Sequence, residues 1–157
     1  SRDGIAGAAP KRRPRAGADG QCIGAGLGLP ARNRNAGGRA VADVYQAFFT
    51  LKPGIGDMDF VDALDAWLGH LKACGHIENH RLLRRKLGLA PAALGEFQLL
   101  IEVRDLAQLD AAFHRVAARD EPEETIHHCV NRCIDRVQFG LFRDFPDPNR
   151  TRGQELF

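Results

Sequence analysis

The sequence lacks a long hydrophobic run, a paired-cysteine motif and a recognisable signal segment. A membrane-spanning helix needs about 20 consecutive, mostly apolar residues, and no stretch of the chain supplies them. The four cysteines include no C-x-x-C pair, and the N-terminus has no apolar region of the kind that a secretory signal contains. These absences predict a cytoplasmic protein that makes no membrane contact.

The signatures of several enzyme and metal-binding classes are also missing. There is no phosphate-binding loop, no H-E-x-x-H motif and no G-x-S-x-G nucleophile elbow. The segment GAGLG (24–28) lacks the preceding strand and the following helix that a dinucleotide loop requires. In HHCVNRC (127–133), helical spacing separates the two thiols from the two imidazoles, and no four-ligand spacing exists. We therefore expect no metal and no cofactor.

Charge divides the chain into two parts. Residues 1–40 hold eight Lys/Arg against two Asp/Glu, together with nine Gly and nine Ala, a composition that predicts a disordered basic extension. An alternative hypothesis is that this extension is not part of the natural protein, with translation starting near Val41. The remainder carries fourteen Lys/Arg against eighteen Asp/Glu, which makes nucleic acid an unfavourable partner. We expect one domain at 41–149 and a polar tail at 150–157.

Within that domain, hydrophobic periodicity predicts seven main elements. The predicted strands cover 44–51, 77–87, 96–104 and 137–143. A helix over 57–74 follows the first strand, and a second helix, divided in two, lies between the last two strands. Asp57, Asp105 and Asp120 are the expected N-caps. The order is βαββαβ, so the fold class is α+β and ferredoxin-like, with a four-stranded antiparallel sheet and helices on one face.

Strand alternation predicts what the other, open face of the sheet carries. Phe48, Leu100 and Phe142 form an apolar patch there, and exposure of such a patch would be unfavourable on a monomer. A second sheet that closed over the patch would produce a homodimeric α+β barrel with a partly polar interior cavity. The same alternation places His80 and Arg84 of the second strand on the open face.

These assignments define the candidate site. The expected ligand-binding residues all belong to the open-face set: Arg84, His80, Gln46, Phe48, Gln98, Gln138 and Phe142. Arg84 would hold a carboxylate, phosphate or enolate, because its planar fork bonds oxyanions through two donors. His80 and Glu102 are the weak candidates for acid–base catalysis. In the alternative interpretation, charges of HRLLRRKLG (80–88) protect an edge strand from aggregation, and Arg84 pairs with Glu96 or Glu102.

Four segments carry a resemblance to a known family. YQAFFTLKPGIGDMDFVDAL, RLLRRKLGL, GEFQLLIEVRDLAQLDAAF and VQFGLFRDFPDP resemble an uncharacterised family of small bacterial proteins, a domain of unknown function similar to ferredoxin-like dimeric α+β barrels. That wider group includes cofactor-free monooxygenases, isomerases and haem-handling enzymes, but no catalytic motif of theirs is matched here. The open-face residues, together with this resemblance, predict a homodimer that binds a small anionic or aromatic molecule between its sheets, and they leave enzymatic activity open. The alternative function is a non-catalytic dimeric structural or regulatory module.

Overall fold

The computed structural model describes residues 42–146 and Gly153. The predicted N-terminal extension at 1–40, and the predicted tail at 150–157 apart from Gly153, lie outside the described residues. The elements follow in this order: β1 (Asp43–Leu51), α1 (Asp57–Ala73), β2 (Asn79–Arg84), a short 3-10 helix (Ala92–Leu94), β3 (Phe97–Val103), α2 (Leu106–Ala117), α3 (Glu123–Asn131) and β4 (Ile134–Arg143).

The four strands form one antiparallel sheet in the order β2-β3-β1-β4. In its centre, Ala47 of β1 lies opposite Leu99 of β3 on one side and Phe139 of β4 on the other. The first crossover passes through α1, and the second passes through α2 and α3. This topology confirms the predicted ferredoxin-like fold, including the divided second helix. It also makes β2 and β4 the two edge strands.

One hydrophobic core joins the sheet to the helices. From α1, Phe60, Leu64, Leu68 and Leu71 are buried at the three- and four-residue spacing of one helix face. The ring of Phe60 meets Phe49 of β1 at 5.4 Å between centroids. Full burial of a side chain of this size contributes roughly 1.5–3 kcal/mol. Packing on this face of the sheet therefore fixes which strand residues point inward.

The helix ends match the sequence only in part. Asp105 caps α2 as predicted, because its carboxylate accepts a hydrogen bond of 2.8 Å from the amide of Gln108. The predictions for Asp57 and Asp120 are wrong, since the residues before α1 and α3 are Gly56 and Pro122 and neither cap makes a side-chain bond. Asp57 is instead the first residue of α1, where its charge still favours the positive end of the helix dipole.

The helices leave the β4 edge only partly covered. Phe139 faces the helix side and stacks on Tyr45 at 5.5 Å, but 62% of its surface is exposed. Tyr45 in turn packs edge-on against Phe113 of α2.

The described helices include none with the length and hydrophobicity that crossing a membrane requires.

Candidate functional site

The register of β2 places two of its residues, His80 and Arg84, on the helix side of the sheet. His80 lies opposite Ile101, and Arg84 lies opposite Phe97, and both of these β3 partners point into the core. Directly paired residues share a face, so the prediction that His80 and Arg84 lie on the open face was wrong. Adjacent leucines at 82 and 83 made either register compatible with the pattern.

Arg84 is engaged by two carboxylates. Its guanidinium lies 2.9 Å from Oδ2 of Asp57 and 2.7 Å from Oε1 of Glu96, and its Cζ stands 5.5 Å from the centroid of the Phe97 ring. The hydrogen bond to Glu96 is the main reason that the pKa of Arg84 is raised. Arg84 thus joins the start of α1, the end of β2 and the entry to β3, and it contributes nothing to the open face.

The two weak catalytic candidates lie on opposite faces. His80 approaches Asp65 of α1, with 3.6 Å between Nε2 and Oδ1. Glu102 lies opposite Val44 of β1 on the open face. A general acid and a general base must both reach one substrate, and these two side chains project away from each other across the sheet.

The other predicted ligand-binding residues do lie on the open face. Gln46 and Gln98 belong to neighbouring strands, and the amide nitrogen of Gln98 donates to the amide oxygen of Gln46 at 2.9 Å. Phe142 is 56% exposed, and its ring lies over Gly140, where an added Cβ would stand 2.9 Å from the ring. The open face therefore combines exposed apolar surface with a pair of amides joined by one hydrogen bond.

A cavity of about 290 Å³ occupies one end of this face. It lies where β1 ends, β4 begins and the short 3-10 helix leads into β3. Its lining is mostly apolar and consists of Phe48, Phe49, Thr50, Ala92, Ala93, Gly95, Arg136, Val137 and Gln138. Two predicted ligand-binding residues, Phe48 and Gln138, are among them. In the β1–β4 pair these two lie directly opposite each other.

A close backbone contact positions the loop wall of the cavity. Gly95 has a φ of 77°, and a Cβ there would lie 2.6 Å from the carbonyl oxygen of Phe49. The next amide, that of Glu96, donates to the same oxygen at 3.0 Å. Only glycine allows this approach without strain, so Gly95 holds Ala92 and Ala93 beside the end of β1.

The polar groups of the cavity come from one strand pair. Arg136 of β4 lies opposite Thr50 of β1, and the Arg136 side chain is 86% exposed. Its Nε stands 3.6 Å from a carboxylate oxygen of Asp135, which is too long for a hydrogen bond. The hydroxyl of Thr50 is buried and has no hydrogen-bond partner among residues 42–146.

Sequence reasoning missed Arg136 because it started the last strand at Val137. Extending the alternation back by two residues from Gln138 would have placed Arg136 on the open face. Gly95 and the 3-10 helix could not be assigned in this way, because a close approach between loop and strand leaves no periodic pattern. Among the described lining residues, Arg136 is the one ionisable side chain.

A second polar cluster lies between the helices, away from the cavity. Glu123 of α3, only 4% exposed, accepts from Arg115 at 2.8 Å and lies 3.2 Å from Nε2 of His70. The hydrogen bond from Arg115 lowers the pKa of Glu123 to about 2, although burial opposes the shift. One helical turn later, His127 packs on Trp67 at 4.7 Å. This cluster joins all three helices, and no periodic pattern in the sequence predicts it.

Metal chemistry finds no support in either region. The described residues contain no group of three or more His, Cys, Asp or Glu side chains arranged to hold a metal ion. Cys133, buried, and Cys129 are free thiols.

What the cavity offers is one guanidinium, one primary amide and one hydroxyl against an apolar wall, a set that suits a small anion with an apolar part.

Comparison with known proteins adds a family and a fold. The profile of a family of unknown function (DUF6614) matches residues 42–157, and no curated protein matches the chain. A NIPSNAP family protein with unknown function from Agrobacterium tumefaciens aligns with a TM-score of 0.51 at 10% identity, over 66% of this chain and 87% of its own. At this identity the likeness concerns the fold alone.

Two further solved structures align less closely. A dimeric ferredoxin-like protein of unknown function from Thermobifida fusca has a TM-score of 0.47 at 14% identity, over 70% of this chain and 97% of its own. SnoaB, a cofactor-independent oxygenase from Streptomyces nogalater, has a TM-score of 0.47 at 11% identity, with the same two coverages.

Proposed function

We propose, from the premise that this chain belongs to the DUF6614 family of unknown function, that the protein is a homodimer that binds a small anionic or aromatic molecule on the open face of its sheet. One observation carries the proposal. The open face holds a cavity of about 290 Å³ that is mostly apolar, and its described lining includes one ionisable side chain, the cation Arg136. Predominantly apolar cavities with a few convergent polar groups are the usual form of small-molecule sites.

The exposed apolar surface of the open face supports the dimer. Phe142 is more than half exposed, and Val44, Phe48 and Leu100 are partly exposed on the same face. Packing a second copy against this face would remove that surface from water at roughly 25 cal/mol per Å². The hydrogen bond from the Gln98 amide nitrogen to the Gln46 amide oxygen offsets part of the cost of enclosing these groups, because buried amides are unfavourable chiefly when they are unpaired.

Binding is favoured over catalysis by the chemistry of the lining. A proton-transfer role needs a side chain that titrates near the working pH, and an arginine does not. Glu102 lies on the same face but does not line the cavity. We therefore place ligand binding first and assign no reaction.

The alternative function is a non-catalytic structural or regulatory dimer. It is favoured by the pairing of Arg84 with Asp57 and Glu96 and by the approach of His80 to Asp65. Both contacts give these two side chains of β2 a structural role. In that case the open face would serve only to join the two copies, and the cavity would be a packing imperfection at the edge of their interface.

Two measurements test the proposal together. Sedimentation velocity at micromolar protein should show a dimer. Thermal melting should rise with at least one compound of a panel that contains benzoate, phenylacetate, hexanoate, phenyl phosphate, inorganic phosphate and phenol. A dimer that no compound stabilises would support the alternative function, and a monomer that no compound stabilises would contradict both.

A further inference from the structure

We infer that the cavity takes a small monocarboxylate with a single ring or a short apolar chain, and that Arg136 is the residue that anchors its carboxylate. This inference rests on the proposed function and deepens it, since it names the ligand class and the anchoring residue.

The size of the cavity limits the ligand. Its volume of about 290 Å³ lies at the lower end of the range of roughly 300–1,000 Å³ that small-molecule sites occupy. Ala92 and Ala93 form the loop wall and add little bulk, while Phe48 presents an aromatic ring on the strand side. An apolar part of one six-membered ring or a short chain, together with its carboxylate, fits within this volume.

The charge of the lining limits the anion. Arg136 is the one ionisable side chain among the described residues around the cavity, so a single negative charge is neutralised and a second would stay unpaired. A guanidinium offers a planar fork of donors that matches the two oxygens of a carboxylate. Its nearest acid, Asp135, stands at 3.6 Å in an exposed pair, which solvent screens and a bound anion can replace.

The register of the strands places further donors beside Arg136. Thr50 lies directly opposite Arg136, and Gln138 follows two residues later on the same face. The Thr50 hydroxyl has no hydrogen-bond partner in the described part of the chain, and rotation about its χ1 would direct it towards an oxygen held by Arg136. The amide of Gln138 can donate from the other side. The polar residues thus belong to the strand side of the lining, whereas Ala92 and Ala93 on the loop side are apolar.

Calorimetric titration of the full chain tests the inference. The probes are phenylacetate, cyclohexylacetate, the neutral analogue 2-phenylethanol, the dicarboxylate phenylsuccinate, and phenyl phosphate. We expect the two monocarboxylates to bind at least about tenfold more tightly than the alcohol, since a charge-assisted pair of hydrogen bonds is lost with the carboxylate. Both monocarboxylates should also bind more tightly than the dicarboxylate and the phosphate ester.

Substitutions then assign the anchor. Arg136→Gln should weaken the affinity for phenylacetate by about tenfold or more and bring it close to the affinity for the alcohol. Arg136→Lys should have an affinity between those of the Gln variant and wild type, because lysine keeps the charge but lacks the planar fork of donors. Arg81→Gln is the matched control, an exposed arginine on the same open face opposite Leu100, and should change affinity less than about twofold. Unchanged melting temperatures of the ligand-free variants establish that each one folds.

Three outcomes overturn the inference while leaving the proposed function intact. These are tighter binding of phenyl phosphate or phenylsuccinate than of phenylacetate, an Arg136→Gln variant that binds as wild type does, and an equal loss in Arg81→Gln. If none of the compounds binds at millimolar concentration, in this titration or in the melting panel, both the inference and the proposed function are wrong.

Discussion

Thr50 and Arg136 lie directly opposite each other in the β1–β4 pair, and both side chains belong to the face of the sheet opposite the three described helices. The regular register ends at this pair, because the next residue, Leu51, pairs with Ile134 after a shift. Irregularities of this kind open the ladder locally and re-aim side chains. The cavity therefore sits where the regular sheet ends, beside the loop that enters β3.

The loop wall depends on the absence of a side chain at Gly95. We predict that Gly95→Ala lowers the free energy of unfolding by about 2–3 kcal/mol, through the strain of a positive φ and the approach to the Phe49 carbonyl. It should also weaken any ligand of the cavity. Urea unfolding and the phenylacetate titration measure the two effects.

Gly54 provides the control for this experiment. It also has a positive φ, of 84°, but an added Cβ would meet nothing within 4 Å. Gly54→Ala should therefore show only the backbone strain, about 1 kcal/mol, and leave ligand binding unchanged. Equal losses in the two variants would show that the contact with Phe49 contributes nothing.

The cluster around Glu123 predicts a specific dependence of stability on pH. The folded-state pKa of Glu123 is lowered to about 2 from an ordinary value of 4.5, so the folded state binds the proton less readily than the unfolded chain does. The resulting stability is fully present above pH 4.5 and is lost as the pH falls towards 2. Chemical unfolding of wild type between pH 6 and pH 2 should show this decline.

Glu123→Gln should remove that part of the decline. At neutral pH the variant should lose about 2–3 kcal/mol of unfolding free energy, because Arg115 and His70 lose the carboxylate with which they pair. Glu124→Gln, one residue further along α3, is the control and should keep the wild-type slope. A Glu123→Gln variant with the wild-type slope would assign the pH dependence to other carboxylates.

The open face should control the association state. Phe142→Arg introduces a charge on the proposed interface, and burying it unpaired would be costly, so we predict a monomer in sedimentation velocity at a concentration where wild type is a dimer. Met58→Arg changes an equally exposed apolar residue, 65% accessible, on α1, and should stay dimeric. If Met58→Arg dissociates the dimer and Phe142→Arg does not, the interface lies on the helix side of the sheet.

Arg84 should affect stability and not binding. Arg84→Ala removes contacts to Asp57 and Glu96 and should lower the melting temperature modestly, with the difference from wild type shrinking at high salt because the pairs are half exposed. Titration with phenylacetate should give the wild-type affinity. A loss of affinity without a loss of stability would indicate that Arg84 contacts the ligand.

The sequence predicts the fold because the decisive signals are local. Alternation in β1, β3 and β4 assigned Phe48, Gln98 and Gln138 to the correct face, since each strand carries an unbroken apolar set on the other side. In β2 the alternation of apolar and polar residues is ambiguous, because the charged residue Arg84 occupies a helix-side position. Its guanidinium lies over the ring of Phe97 there. Only the pairing of His80 with Ile101, a contact between segments distant in sequence, decides the register.

The candidate site was predictable only where it follows strand alternation. Phe48 and Gln138 were found by that rule, and Arg136 would have been found with a longer fourth strand. The contribution of Gly95 depends on a backbone contact with Phe49, and the burial of Glu123 depends on how two helices pack. Neither leaves a periodic trace, so tertiary structure is needed to reveal them.

Because of the contact between Gly95 and Phe49, different atoms determine the shape of the cavity and its selectivity for ligands. The loop wall is held by main-chain atoms, whereas Ala92 and Ala93, which face the cavity from that wall, are exposed and contribute little to the core. Substitutions at these two alanines can therefore alter which ligand fits without moving the wall itself. Related chains that keep glycine at position 95 can diverge in specificity on an unchanged frame.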